Sequence, residues 1–161
     1  MGCYSPCWLS LVMSATPSMC NQPASHPDIY QRKNIAFLQC NVEVDPIPYQ
    51  DKSFDAVVCC QVLEHFSHSH LPTMKEIRRV LRTGGIVEVD VPNAASFRNR
   101  SRMLRGKHIP YDYEEHYLYA TPIFYRGMSF CPRLHNREFT KTELETLLPA
   151  AGFQQIEVRF L

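Results

Sequence analysis

The stretch that decides the fold is Phe54-Asp-Ala-Val-Val-Cys-Cys60, which is rich in β-formers and almost continuously apolar. This pattern is typical of a parallel strand that is covered on both faces. Apolar residues then recur at helical spacing, with Pro72 placed to suit a first turn and Gly84-Gly85 placed to end the helix. The next apolar run, Ile86 to Val91, predicts a second buried strand. Strand, helix and strand in this order predict two adjacent parallel strands in an α/β fold.

Weaker patterns extend this unit in both directions. Ile35 to Gln39 is a short apolar run that is compatible with a strand. Thr140 and Glu143 form a capping box, which predicts a helix that ends at Gly152. Ile156 to Phe160 is predicted as a last strand. These patterns predict that strands and helices alternate along the whole folded part of the chain.

Composition bounds the class of protein. The chain has 161 residues, of which 45% are hydrophobic and 20% charged, and this indicates one soluble globular domain rather than a disordered chain. A net charge of +1 gives no overall attraction to nucleic acid or to anionic lipid. The seven cysteines lack the spacing of a secreted disulfide framework, so we expect a cytoplasmic protein. The apolar run Cys7 to Met13 is shorter than the roughly 20 residues that span a membrane.

Residues 1–34 differ in composition from the rest of the chain. They are rich in proline and serine, and their charged residues are Asp28, Arg32 and Lys33. We therefore expect an irregular leader over 1–34 and a folded domain over 35–161.

Beyond these patterns, the order and spacing of several motifs resemble the second half of class I S-adenosylmethionine-dependent methyltransferases. Within that superfamily the chain looks most similar to the type-11 and type-23 groups, which act on small molecules, lipids and saccharides. The motifs, in chain order, are Ile47 to His65, Glu76 to Gly85, Val91-Pro-Asn93, Met103 to Gly106, His135 to Thr140 and Ala150 to Phe153. The resemblance implies an incomplete Rossmann-like sheet, mainly parallel, with helices on its faces. It also implies that the domain over 35–161 is partial and carries an insertion at about 94–135.

The same resemblance implies S-adenosylmethionine as the cofactor and points to the residues beside it. In such folds the ligand lies at the carboxyl ends of the parallel strands. Asn41 and Val42 would then lie at the adenine, and Cys60 and Gln61 beside the methionine part. The family usually has Asp where Asn41 stands, and an Asn amide oxygen can still accept a hydrogen bond from the adenine amino group. An ordinary turn-forming Asn is the alternative at that position.

Candidate residues for the acceptor side lie in two of the motifs. Methyl transfer leaves the protein to supply an in-line approach and, for some acceptors, a base that takes a proton. His65 and His135 are the candidates for that base, and the alternatives are that His65 caps a helix and His135 packs the insertion. Arg137 suits an acidic acceptor, or it pairs with Glu138.

The insertion is both aromatic and basic. Tyr111 and Tyr113 suit a wall for the acceptor or a plain packing surface. The basic run from Arg98 to Lys107 suits a phosphate or an RNA backbone, or it is an exposed helix face. The second reading is favoured because acidic residues follow closely, so we expect no nucleic-acid partner. The resemblance implies a small-molecule, lipid or saccharide acceptor.

A short stretch of potential metal ligands follows the first strand. Glu64, His65, His68 and His70 lie close in sequence, but no cysteine pair at zinc-site spacing accompanies them. We therefore expect solvated histidines and no metal ion.

One element of the family has no counterpart in the sequence. Class I enzymes cradle the cofactor with a glycine-rich loop, because only glycine lets the backbone approach the ligand so closely. Here Gly2 is the sole glycine before Gly84. We therefore expect the isolated chain to bind S-adenosylmethionine weakly or not at all. Either the run Trp8 to Met13 rebuilds the centre of the sheet, or the chain is a fragment whose sheet a partner chain would complete. The alternative to an active methyltransferase is a non-catalytic remnant that serves as a binding module or a partner subunit.

Overall fold

A computed structural model describes Arg32, Leu38 and residues 40–109, 123–125, 128–130 and 135–160. The chain forms an α/β fold that is an incomplete Rossmann-like unit. Its elements are strand β1 (Phe54–Cys60), a short 3₁₀ helix (Leu63–His65), helix α1 (His70–Val80), strand β2 (Leu81–Asp90), helix α2 (Phe97–Leu104), strand β3 (Ile123–Tyr125), strand β4 (Met128–Phe130) and helix α3 (Lys141–Ala150).

Strands β1 and β2 are adjacent and parallel, which confirms the central prediction from the sequence. The ladder runs from Ala56 opposite Ile86 to Cys60 opposite Asp90. Both carboxyl ends therefore lie at one edge of the sheet, where parallel α/β folds bind their ligands. Strands β3 and β4 form a separate antiparallel pair inside the predicted insertion.

The start of β2 differs from the prediction. Helix α1 ends at Val80 and the strand begins directly after it, so Gly84 and Gly85 lie inside β2 rather than before it. Gly84 has a φ of 77°, and a Cβ on Gly85 would come within 3.0 Å of the carbonyl oxygens of Arg82 and Asp55. The two glycines serve the irregular start of the ladder, where the register shifts, and a glycine inside a strand often marks such a site.

Helix α1 and strand β1 supply most of the core. Ser69 caps the helix by accepting a hydrogen bond from the Leu71 N–H, and the apolar positions Met74, Ile77 and Val80 are fully buried. Burying a side chain of this size contributes about 1.5–3 kcal/mol. Further members of the core are Ile47, Phe54, Val57, Cys59, Leu63, Phe66, Leu81, Phe139 and Leu148. The 3₁₀ helix after β1 and the segment before α3 therefore pack into the same hydrophobic core, through Leu63 and Phe139.

Within the described part of the chain, apolar residues on the second face of the sheet are exposed, whereas the prediction has β1 covered on both faces. Val57 and Cys59 are buried, whereas Val58 between them is 53% exposed. In β2, Ile86 is 70% exposed. A continuous apolar run shows that apolar side chains point to both faces of the strand. It does not show whether a helix or another segment covers each face.

The helix near the end of the chain is confirmed, but the last predicted strand is wrong. Thr140 and Glu143 form the capping box of α3, and Gly152 with a φ of 92° follows the helix end. Residues 156–160 alternate in exposure as a strand would, yet they form no ladder. A strand requires a neighbour for its hydrogen bonds, and the described strands pair only β1 with β2 and β3 with β4.

Two predictions fall on residues outside the described part of the chain. The predicted strand Ile35 to Gln39 is described only at Leu38, and the predicted leader over 1–34 only at Arg32. Helix α2 covers most of the basic run, and its Arg98 and Arg100 are exposed, as the helix-face interpretation expects. Within the described ranges, no helix has the length and apolar character needed to cross a membrane.

Candidate functional site at the carboxyl edge of the sheet

Hydrogen bonds link the carboxyl ends of β1 and β2 at Gln61, the residue that follows β1. The Gln61 N–H donates to the Asp90 carbonyl oxygen at 2.9 Å, and the Gln61 side-chain Nε2 donates to the Asp90 carboxylate at 2.9 Å. Gln61 has a φ of 52°, a conformation that is uncommon for a residue other than glycine. Such strain persists only where surrounding contacts enforce it, and it concentrates at functional sites. Cys60 and Gln61, predicted beside the cofactor, thus lie next to each other at the carboxyl edge of the sheet.

Carboxylates surround Cys60. The pKa of the Cys60 thiol is raised by burial first and then by Asp90, Glu88 and Glu64. Cys60 is therefore a protonated thiol near negative charge, and it is not an activated nucleophile. The same negative charge favours a positively charged group at this edge.

A second segment folds back onto the end of β1. The Arg137 N–H donates to the Glu64 carbonyl oxygen at 3.2 Å, and the Asn136 side chain donates to the His65 carbonyl oxygen at 2.8 Å. Farther along, the Phe139 N–H donates to the Pro92 carbonyl oxygen at 2.9 Å, beyond the end of β2. Residues 135–139 therefore pack along the ends of both strands and place His135 at the carboxyl edge of the sheet.

Glu64, His65 and His135 form a compact cluster there, which we call the EHH cluster. The Nε2 atom of each histidine lies 3.9 Å from Glu64 Oε1, and the two imidazole rings meet edge to face with centroids 4.9 Å apart. The Glu64 side chain is 0% exposed, whereas the side chains of His65 and His135 are 18% and 19% exposed. The cluster thus has a buried carboxylate behind two imidazoles that reach the surface.

The charge state of the cluster follows from its burial. Burial, with a contribution from Asp90, raises the pKa of Glu64 to about 7. Neither Glu64 carboxylate oxygen accepts a hydrogen bond from the described residues. Burial also lowers the pKa of His135, and the neighbouring His65 and the Arg98 guanidinium lower it further. A neutral His135 is therefore favoured near neutral pH.

Asn41 and Val42, the residues predicted at the adenine, are held by a different set of contacts. The Asn41 side-chain oxygen accepts a hydrogen bond from the Glu43 N–H at 3.2 Å, which is the geometry of a turn-forming Asn. Its Nδ2 is buried without a partner among the described residues. Val42 belongs to the core, and its carbonyl oxygen accepts a hydrogen bond from Thr73 in α1 at 2.8 Å. The unpaired Asn41 amide is the group here that suits a polar ligand.

The predicted acceptor residues are only partly within the described chain. Arg137 pairs with Glu143 and lies 5.9 Å from the centre of the Phe139 ring. The expected alternative partner, Glu138, instead accepts a hydrogen bond from Asn99. Tyr111 and Tyr113 lie outside the described residues.

The metal-ligand set weighed from the sequence is divided by the fold. His68 bonds through Nδ1 to Glu43 at 2.8 Å, and His70 bonds through Nε2 to the Leu63 carbonyl oxygen at 3.0 Å. His135, far away in sequence, joins Glu64 and His65 instead. Sequence reasoning also missed Asp90, although its place at the end of a predicted strand is a usable signal.

Comparison with known proteins adds the family context. A family model described as a methyltransferase domain matches residues 11–89. An uncharacterized protein of Methanocaldococcus jannaschii is 42% identical over 50 residues, which are 31% of this chain and 21% of that protein.

Two solved structures resemble the fold. One is an S-adenosylmethionine-dependent methyltransferase of Thermotoga maritima, a possible histamine N-methyltransferase, with a TM-score of 0.53, 22% identity and coverage of 89% of this chain and 54% of that chain. The other is the cyclase SpnF, with a TM-score of 0.51, 21% identity and coverage of 90% of this chain and 43% of that chain. The chain thus spans about half the length of the Thermotoga structure that it resembles. Because a methyltransferase and a cyclase both share this fold, the fold alone does not fix the reaction.

Proposed function

We propose that this chain, which matches a methyltransferase-domain family model over residues 11–89, acts as a class I S-adenosylmethionine-dependent methyltransferase and takes part in methyl transfer to a small-molecule, lipid or saccharide acceptor. The observation that carries the proposal is the gathering of Gln61, Asp90 and the EHH cluster at the carboxyl edge of the sheet. S-adenosylmethionine, when bound, supplies a methyl group on a positively charged sulfur. The chain's own residues then have to bind the cofactor and the acceptor, orient them for transfer and exclude water from the site.

The carboxyl end of β1 suits the methionine side of that cofactor. Cys60 and Gln61 are presented at the edge, and the carboxylates of Glu64, Glu88 and Asp90 give the negative charge that a sulfonium favours. Asn41 offers its unpaired buried amide to the adenine side, and Val42 offers its backbone, since its side chain belongs to the core.

The acceptor side is assigned to the histidines. A neutral His135 can take a proton from an acceptor hydroxyl or amine, and His65 shares the same opening. Arg137 is half-exposed and remains a candidate for an acidic group on the acceptor, in exchange for its contact with Glu143. Tyr111 and Tyr113 stay predictions for the acceptor wall.

A second candidate function is that of a non-catalytic binding module or partner subunit in the cytoplasm. The observation that favours it is the lack of any glycine from residue 3 to residue 83, where the family places its cofactor loop. The exposed apolar side chains of Val58 and Ile86 on the β1–β2 sheet offer a surface for a partner chain that completes the fold. In this role the chain would contribute the EHH cluster to a site shared with that partner.

Calorimetric titration of the purified chain with S-adenosylmethionine separates the two functions. Each backbone N–H lost with the glycine-rich loop costs about 1.5–3 kcal/mol when the acceptor is charged, so two losses weaken binding by roughly a hundredfold or more. A site that is micromolar with the loop therefore moves to about 100 μM or weaker. We expect saturable binding in that range, weakened further in Asn41→Leu and in Gln61→Ala.

The matched control is Arg82→Ala at the opposite edge, where Arg82 contacts Asp55 at the surface. It should leave the affinity unchanged. Absence of binding at millimolar cofactor would favour the partner-subunit role. Low-micromolar binding would show that residues outside the described part, such as Trp8 to Met13, rebuild the missing half of the site.

A further inference from the structure

We propose that Glu64, His65 and His135 bind a divalent transition-metal ion, with Zn²⁺ as the ion that their chemistry favours. The proposal does not depend on methyl transfer. It rests on the placement of three ligand atoms and on the burial of one of them.

The three side chains have nearly the spacing of a metal site. One ligand atom from each lies within 4.8 Å of the others, and the two carboxylate-to-imidazole distances are 3.9 Å. In a tetrahedral zinc site with bonds of about 2.0–2.1 Å, neighbouring ligand atoms lie about 3.4 Å apart. Closing the present cluster onto an ion therefore requires side-chain shifts of about 0.5–1 Å.

The buried carboxylate is the independent observation that points to a cation. Glu64 is completely buried, and both of its carboxylate oxygens lack a hydrogen-bond partner among the described residues. A buried carboxyl group without a hydrogen-bond partner is disfavoured, and a bound metal ion is one of the ways in which proteins satisfy it. The Arg137 guanidinium does not fill this role, because it pairs with Glu143.

The ligand types select the class of ion. Two imidazoles and one carboxylate suit Zn²⁺ and its neighbours among the transition metals, whereas Mg²⁺ and Ca²⁺ prefer sites made of oxygen alone. His65 and His135 are each partly exposed, so the fourth coordination position opens toward solvent. Three protein ligands with one open position is the arrangement of a site that exchanges water for a ligand.

The backbone already holds the ligands in place. Arg137 and Asn136 bond to the carbonyl oxygens of Glu64 and His65, which ties the His135 segment to the 3₁₀ helix. Because these backbone hydrogen bonds already hold the ligands near one another, less conformational entropy is lost when an ion binds. A metal-bound imidazole cannot act as a base, so ion binding and the base role of that histidine exclude each other.

The test is a titration of the full chain, stripped with a chelator, with Co²⁺ as a visible substitute for Zn²⁺. We expect one equivalent to bind with micromolar or tighter affinity, with visible absorption of low-symmetry cobalt and displacement by Zn²⁺. Glu64→Gln and His135→Gln should each weaken binding by at least about a hundredfold, since even outer partners of a metal ligand matter by 10–100-fold. His68→Gln is the matched control, because His68 bonds to Glu43 and not to the cluster.

Three results would overturn the proposal. One is the absence of saturable Co²⁺ binding at millimolar concentration in a chain with native circular dichroism. Another is equal affinity in His135→Gln and in the wild type. The third is a thiolate-to-cobalt absorption band, which would assign the ion to cysteines. None of these readouts requires S-adenosylmethionine, so failure of the metal site and failure of the proposed function are separate results.

Discussion

The two edges of the β1–β2 sheet differ in how well their buried and half-buried polar groups are hydrogen-bonded. At the amino edge, the Arg79 guanidinium donates to the Glu76 carboxylate at 2.9 Å, to Asp51 at 2.8 Å and to the Ile47 carbonyl oxygen at 2.8 Å. At the carboxyl edge, the Glu64 carboxylate is buried without a described partner, and the backbone of Gln61 is strained. Groups that satisfy one another hold the fold, whereas groups left unpaired by the fold are available to a ligand.

The pKa values of Glu76 and Glu64 are shifted in opposite directions at the two edges. Hydrogen bonding to Arg79 is the main cause that lowers the pKa of Glu76. Burial raises the pKa of Glu64 to about 7. The ionised form of Glu76 is therefore stabilised at the amino edge, whereas the ionised form of Glu64 is destabilised at the carboxyl edge.

The largest expected loss of stability comes from breaking the amino edge. Arg79→Met removes hydrogen bonds to two carboxylates and two backbone carbonyl oxygens, so the free energy of unfolding should fall by about 2–4 kcal/mol. Urea denaturation measures this loss. Lys75→Met, at an exposed position of the same helix, is the control and should change stability by less than about 0.5 kcal/mol. Equal stability of the two variants would contradict the structural role of this edge.

The carboxyl edge should respond to pH in the metal-free chain. Glu64 has a raised pKa in the folded chain, so the folded state binds the proton more tightly and stability is lost as pH rises from about 4.5 to about 7. Relative to Glu64→Gln, the wild type should lose up to about 3 kcal/mol between pH 5 and pH 8. Denaturation curves of both proteins at several pH values, with chelator present, measure this difference. Parallel pH dependences in the two proteins would show that Glu64 is ionised throughout.

A smaller effect separates two neighbouring glycines at the start of β2. Gly85→Ala should cost about 1–3 kcal/mol, because its Cβ would press against two backbone oxygens at 3.0 Å. Gly84→Ala has open space and loses about 1 kcal/mol from its positive φ alone. Thermal unfolding of both variants ranks them, and a larger loss for Gly84→Ala would contradict the close approach at Gly85.

Local patterns predict the elements of this chain well where they depend on neighbours in sequence. The capping box at Thr140 and the apolar spacing of α1 depend on residues three and four positions apart, and both are confirmed. The strand Ile156 to Phe160 fails because a strand depends on a partner from elsewhere in the chain. The start of β2 shifts because the glycines serve the ladder rather than the helix end.

The sequence predicts which candidate site residues follow a strand directly, but it does not predict which distant segments pack against them. The resemblance places Gln61 at the ligand edge, and the structure gives that residue its strained backbone. The partnership of His135 with Glu64 depends on backbone bonds between residues 135–139 and the strand ends, which no spacing in the sequence records. The preference of Arg137 for Glu143 over Glu138 likewise follows from the helix start, where Glu143 turns back to its cap.

The most direct test of the contrast between the two edges is to map S-adenosylmethionine binding by amide NMR shifts of the isotope-labelled chain. Weak binding suits this measurement, because fast exchange moves each signal in proportion to occupancy. We predict that the largest shifts occur at Gln61, His65, Asp90 and Arg137, while Arg82, Gly84 and Gly85 stay unchanged. Shifts centred on the amino edge would contradict the assignment of the ligand site to the carboxyl edge, whereas no shifts at millimolar cofactor would favour the partner-subunit role.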